Sequence, residues 1–210
     1  MVNDTVFILL AGGKSERMGV DKGLLKYQQT FWIIEQLLRI SKTTISEVFI
    51  GLGYNYQHYF KAIPWFKNAL LNPVNFNGLT ISVVLNKHPE LGSFATLQSV
   101  LTGIKASRNI LLNPIDIPIL NFKELYKIVE TCNTIVIPSF KGKNGHPIKI
   151  NSTFWKQLLT VDLKNEDARL DYQLKKLPAK DISFIKVDDD SIIENLNTRQ
   201  EWICFLKKNM

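Results

Sequence analysis

The sequence is short of several things, and each shortage closes off a class of protein. No apolar run approaches the roughly 20 residues that a helix needs to cross a bilayer, so helices that span a membrane are not expected. Cysteine occurs only at Cys132 and Cys204, far apart and in no metal-binding spacing. That excludes a zinc ribbon or a disulfide-built scaffold, and both residues read as reduced thiols of the core. The net charge is +7, yet no block of like charge carries it. Nucleic-acid binding would explain such an excess. Lysines scattered along the chain fit better with cations serving anionic small ligands, and no nucleic-acid partner is expected. The opening MVNDTVFILLAGG lacks the basic region of a secretory leader and reads as the lead-in to a first strand, so a cytoplasmic protein is expected. Internal repeats and linkers rich in Pro, Gly or Ser are also missing, which points to a single domain over residues 1–210. A hydrophobic fraction of 45% is ample for its core.

Two common phosphate-binding patterns are missing as well: the P-loop G-x-x-x-x-G-K-[ST] and the dinucleotide fingerprint G-x-G-x-x-G. In their place stands FILLAGGKSERMGVDKGLLK, residues 7–26. An apolar run over 6–10 predicts a buried strand. Gly12 and Gly13 break it and permit backbone angles that a Cβ would resist. Lys14, Ser15, Arg17 and Lys22 follow, then an amphipathic run over 30–40. A strand, a glycine turn crowded with cations and hydroxyls, and a helix make a cradle for phosphate.

The rest alternates strands with helical stretches. Strands are expected at 47–53, 79–85, 109–112, 134–138, 148–150 and 182–187. Helices are expected at 54–65, 121–131, 154–159, 167–177 and near the C-terminus, and another follows the turn at 86, with Ser93 or Thr96 able to cap it. Residues 72–78 and 141–147 read as loops. The alternation argues for a doubly wound α/β sheet of mostly parallel order. Asp116 follows an apolar strand, where open α/β sheets bind ligands. It is open to two roles, capping the next turn or holding Mg²⁺.

The string L-A-G-G-x-S-x-R-M-G-x-D-K, residues 10–22, resembles the signature loop of the MobA-like NTP transferase family, the molybdenum-cofactor guanylyl- and cytidylyltransferases. The resemblance continues through Asp116, Gly145-His146-Pro147 and Asn195-Leu196-Asn197-Thr198. It implies a Rossmann-like three-layer α/β/α fold. It also implies Mg²⁺-dependent transfer of NMP from GTP or CTP to a phosphorylated acceptor, molybdopterin foremost, with release of pyrophosphate. A sugar- or polyol-phosphate acceptor is the alternative within the reaction. A nucleotide-binding regulatory protein without turnover is the alternative outside it.

Carried over by position, the resemblance gives Leu10, Ala11, Gly12 and Gly13 contacts to base, ribose and phosphates. Ser15 and Arg17 join in holding the triphosphate, and Lys22 becomes the catalytic lysine. Asp116 becomes the metal carboxylate, with Asn197 as its neutral companion or else a turn residue capping the last helix. The GSFATL segment with Ser93 falls beside the nucleoside, and Asn86 falls near a position where guanylyl-specific members carry Asp. His146 either bonds a phosphate or acceptor or is a structural turn residue. Arg169 either reaches the acceptor's phosphate or pairs with a carboxylate on a helix face. Asp188 to Asp190, just before the final motif, read as a solvated acidic turn or else as helpers of the metal. VDKGLL and NLNT lean to the guanylyl branch, GHP and GSFATLQS to the cytidylyl-like one.

Overall fold

The structure, a computed structural model, describes residues 4–209. Residues 1–3, within the stretch expected to lead into the first strand, lie outside the described residues, as does residue 210. Strand β1 (Thr5–Ala11) runs into a long loop with a single 3-10 turn at Lys22–Leu24. A small hairpin of β2 (Lys26–Tyr27) and β3 (Thr30–Phe31) comes next, and only then α1 (Trp32–Ile40). No helix starts at the glycines, so the cradle is built from loop amides and not from a helix N-terminus. Ser15 and Gly19 adopt left-handed backbone angles, and the turn between them absorbs the chain that a helix would have used.

After β4 (Glu47–Leu52) come α2 (Tyr56–Ala62), within the helix expected over 54–65, and α3 (Trp65–Leu71), for which no helix was expected. Pro64 separates them, because its ring removes an N–H and clashes with the preceding turn. Residues 72–78, expected as loop, hold β5 (Val74–Phe76), which pairs with β6 (Leu79–Leu85). Asn77 and Gly78 between them both have positive φ, as a two-residue hairpin turn of matching twist requires. Helix α4 (Gly92–Leu101) has Leu91 at its cap with no side-chain bond. Ser93 and Thr96 therefore lie inside the helix and cap nothing.

The remaining elements are β7 (Asn109–Pro114), α5 (Phe122–Glu130), β8 (Ile135–Phe140), β9 (Lys143–Asn144) and β10 (Ile148–Ile150). They end with α6 (Ser152–Leu158), α7 (Leu170–Lys175), β11 (Ile182–Lys186) and α8 (Arg199–Asn209). Helix α7 is shorter than the expected 167–177. No helix among the described residues is long and apolar enough to cross a membrane.

Among the described residues nine strands form one sheet in the order β11-β8-β10-β7-β1-β4-β6-β5, with β9 paired to β8. The long strands β1, β4, β6, β7, β8 and β11 all point one way; only β5, β9 and β10 oppose them. Successive residues of a strand face opposite sides, and β1 feeds a core on each. Phe7 and Leu9 pack with Trp32 and Leu37 of α1, Phe66 of α3, Ile128 of α5 and Trp202 of α8. Val6 and Ile8 pack with Leu97 and Val100 of α4 and Trp155 of α6. Burying each such side chain contributes roughly 1.5–3 kcal/mol, so the result is the three-layer α/β/α arrangement. Cys132 and Cys204, expected in the core, are both exposed. Cys132 sits in the turn after α5, and α8 buries Trp202 and Phe205 while leaving Cys204 outside.

Candidate active site

The chain leaves β1 toward β4 on one side and returns to β7 on the other. Such a switch point opens a crevice beyond the carboxyl ends of the strands. The Gly12 carbonyl accepts from Tyr54 N–H at 3.1 Å, which ties the loop after β1 to the loop after β4. A Cβ on Gly53 would lie 2.6 Å from that carbonyl oxygen, and one on Gly12 would lie 2.9 Å from Thr96 Oγ1. Only glycine fits at either place. Gly13 is bare for another reason: a Cβ there would meet nothing within 4 Å, since it faces open space. That space is a cavity of about 660 Å³ lined by Leu10, Ala11, Gly12, Gly13, Lys14 and Ser15, with Ser93, Thr96 and Leu97 from α4. Lys22, Asp116, His146 and Asn195 also line it.

The chemistry gathers at Lys22. Its Nζ donates to Asp116 Oδ2 at 2.7 Å and to Asn197 Oδ1 at 2.6 Å. The lysine and aspartate side chains are only 16% and 20% exposed, so the pair is largely shielded. Residues 94 and 175 positions from Lys22 in sequence thus meet at one nitrogen. Each is held from behind. Lys22 N–H donates to Ser15 Oγ at 3.2 Å. The Asp116 carbonyl accepts from Leu196 N–H at 2.8 Å. Glu201 Oε2 accepts from the amides of Asn197 and Thr198 at 2.8 and 2.7 Å, while Thr198 Oγ1 accepts from Glu201 N–H at 3.2 Å. This is a capping box on α8, and it presents Asn197 to the lysine.

A second cluster lies one residue earlier. Asp21, 5% exposed, accepts from Asn55 Nδ2 at 3.0 Å and contacts His58 Nδ1 at 2.7 Å. A Cβ on Gly23 would lie 2.8 Å from the Tyr59 hydroxyl, and burial together with the Asp21 charge pushes the Tyr59 pKa above its usual range. The segment carrying Lys22 is therefore moored to α2. Sequence reasoning left Asp21, Asn55, His58 and Glu201 without roles, although Asp21 stands in the signature string and T-x-x-E is a readable capping pattern.

The expected site residues do not all converge. Arg17 is exposed outside the cavity wall, because the turn over Ser15–Gly19 buries Met18 and aims its neighbour outward; its charge acts on Glu201. Asn86 is buried and does not line the cavity. Its Nδ2 donates to Thr96 Oγ1 and its Oδ1 accepts from His88 N–H, so it shapes the turn into α4. Arg169 is exposed and forks onto Asp171. His146 does line the cavity, and burial lowers its pKa to about 4 against the pull of Asp116, leaving a neutral ring at pH 7. Asp189 and Asp190 serve structure: Asp189 bonds Asn121 and Ser191, and Asp190 pairs with Lys208.

Among the described residues no group of three or more His, Cys, Asp or Glu could hold a metal ion. The donors present still suit a hard divalent ion. Asp116 Oδ2 and Asn197 Oδ1 converge on one ammonium, so two oxygens already aim at a single cation position. Mg²⁺ is commonly bound by one or two protein oxygens and completed by phosphates and water.

A Rossmann-like sheet with a glycine cradle and a lysine–carboxylate pair at its switch point defines a nucleotide-handling transferase. The model of the MobA-like NTP transferase domain matches residues 7–178, and the chain belongs to that family, whose chemistry is nucleotidyl transfer from an NTP. No curated protein matches the sequence. Solved structures share the fold at low identity. A nucleotidyl transferase from Methanothermobacter is 15% identical with a TM-score of 0.74, over 97% of this chain and 96% of its own. A Mycobacterium tuberculosis protein solved in complex with manganese is 16% identical with a TM-score of 0.71, over 99% and 100%. Molybdopterin-guanine dinucleotide biosynthesis protein A from Archaeoglobus fulgidus is 14% identical with a TM-score of 0.68, over 98% and 100%.

Proposed function

We propose that this chain, acting as a single domain, transfers NMP from GTP or CTP to a phosphorylated small molecule, molybdopterin being the acceptor the family resemblance favours, and releases pyrophosphate. The observation that carries the reading is the meeting of Lys22 and Asp116, both on the wall of the glycine-lined cavity, with Asn197.

In such a transfer an acceptor phosphate oxygen attacks the α-phosphorus. The bond from that phosphorus to the α,β-bridging oxygen breaks, and its electron pair leaves with pyrophosphate. The nucleophile is already an anion, so no protein base is required. What the protein must do is align the two ends and stabilise charge. Gly13 leaves room for a phosphate against the backbone, and Ser15, whose oxygen already accepts from Lys22 N–H, still has its hydroxyl proton to donate. Lys22 places a positive charge where the α-phosphate and leaving group gain negative charge. Mg²⁺, held by Asp116 and Asn197, would neutralise phosphate oxygens as a Lewis acid. His146, neutral at pH 7, offers a hydrogen bond without adding charge.

The test is pyrophosphate release with each of the four NTPs, Mg²⁺ and molybdopterin, run beside sugar phosphates. Release with GTP or CTP and molybdopterin, lost in Asp116→Ala, is the expected result. Release only with a sugar phosphate would replace the acceptor. Nucleotide binding with no release from any pair would overturn the transfer itself.

A further inference from the structure

Lys22 Nζ occupies the point on which Asp116 Oδ2 and Asn197 Oδ1 converge, at 2.7 and 2.6 Å. A divalent ion bound to those two oxygens would sit about 2.1 Å from each, in the space that the ammonium fills. The two cations cannot share the oxygens. We propose that Lys22 is the resident cation of the metal site, and that its ammonium and the divalent ion are alternative occupants. This rests on the reading of Asp116 and Asn197 as metal-holding residues.

Charge counting gives the consequence. Asp116 carries one negative charge, Asn197 none, and Lys22 one positive, so the cluster is neutral as it stands. A divalent ion added beside a retained lysine would leave two uncompensated positive charges in a partly shielded site. Lys22 gives up its two oxygens only when other anionic oxygens are offered, and a triphosphate in the adjoining cavity offers them. The four-carbon stem of lysine lets the head group move while Ser15 Oγ holds the Lys22 backbone in place. Lysine therefore has two duties. It keeps the site closed to a bare metal ion, and it turns to the phosphates once nucleotide brings the metal in. Arginine would serve the first duty, but its planar fork would fit the two converging oxygens differently.

The experiment measures Mn²⁺ binding by the loss of the free-ion paramagnetic resonance signal, without nucleotide. Manganese, like magnesium, takes oxygen ligands. Wild type is compared with Lys22→Met, Lys22→Gln, Asp116→Asn and the double variant Lys22→Met/Asp116→Asn. The expected result is that both lysine variants bind Mn²⁺ at least about tenfold more tightly than wild type, and that Asp116→Asn removes the gain. Equal or weaker binding by both lysine variants, with Asp116→Asn still abolishing what binding there is, overturns the exchange and leaves the metal-site reading standing. Binding that ignores Asp116→Asn in every background overturns both. Two lysine variants guard against one that fails to fold, and circular dichroism verifies each.

Discussion

Asp21 and Lys22 are neighbours in the chain, and their side chains enter two clusters of different character. Asp21 is buried, and its carboxylate is taken up by Asn55 and His58 on the far side of the loop. Lys22 lines the cavity, and its two partners, Asp116 and Asn197, come from the loop after β7 and the turn before α8. The first cluster joins elements that are close in sequence and leaves no room for a ligand. The second joins three distant segments around one nitrogen beside a large open space. A buried, satisfied carboxylate rigidifies, whereas convergent groups facing a cavity still have an interaction to offer. The loop over 15–25 is thus a strap with a mooring on one side and a working group on the other.

The sharpest way to break the comparison is to remove the working group. Lys22→Ala is expected to lower kcat/KM by about 10³ or more, the scale on which a preorganised charge at the reacting phosphate acts. Its effect on folding is expected to stay within about 1 kcal/mol, as for most substitutions outside a packed core. Steady-state pyrophosphate release and urea unfolding read the two effects separately. A large stability loss would make Lys22 a second mooring.

Removing the mooring should do the reverse. Asp21→Ala leaves the Asn55 amide and the His58 ring without their shared acceptor, and hydrogen bonds to a charged group are each worth about 1.5–3 kcal/mol. We expect a loss of about 2–3 kcal/mol in urea unfolding and a fall of only about tenfold in kcat, felt through Lys22. A kcat loss as large as that of Lys22→Ala at unchanged stability would mean that Asp21 also acts at the reacting groups.

The two clusters were unequally legible in the sequence. Lys22, Asp116 and Asn197 lie in segments that carry the family resemblance, so it could single them out together even though 175 residues separate the ends. Asp21 stood in the same string, but its role depends on Asn55 and His58, which reach it only because the loop after β4 folds back over the loop after β1. No periodicity encodes that. Arg17 and Asn86 show the opposite failure. The motif named them, but burial of Met18 turns Arg17 outward, and Asn86 spends its side chain on Thr96 and His88. The fold was more readable, because strand and helix periods are local. Its misses were local too: Pro64 and Asn77-Gly78 were visible breakers whose consequences, a second helix starting at Trp65 and a hairpin, were left undrawn.

His146 sharpens the comparison through pH, because it is a cavity residue whose burial makes it behave like a mooring one. Its pKa falls from 6.5 to about 4 on folding, so between those values the unfolded chain binds a proton that the folded chain does not. Stability is then fully present above pH 6.5 and is lost as pH falls toward 4. His146→Asn is expected to remove roughly 1–2 kcal/mol of the stability difference between pH 7 and pH 5, measured by urea unfolding of both proteins at each pH. An unchanged pH dependence would mean that the ring is solvated and free to accept a proton in the site.

The smallest effect is expected at Arg169. Its Nε donates to Asp171 Oδ1 at 3.0 Å and a terminal nitrogen donates to Oδ2 at 3.3 Å, while the guanidinium lies 5.0 Å from the Tyr172 ring. Both partners are on the surface, where such pairs contribute about 0–1 kcal/mol, and the next residue, Leu170, is the one that lines the cavity. Arg169→Ala should therefore change the acceptor KM by less than about twofold and stability by no more than about 0.5 kcal/mol. A tenfold rise in acceptor KM, with the nucleotide KM unmoved, would show that Arg169 leaves Asp171 for the acceptor's phosphate. The ion pair on α7 would then belong with Lys22, as a cation held by a carboxylate until substrate phosphate replaces it.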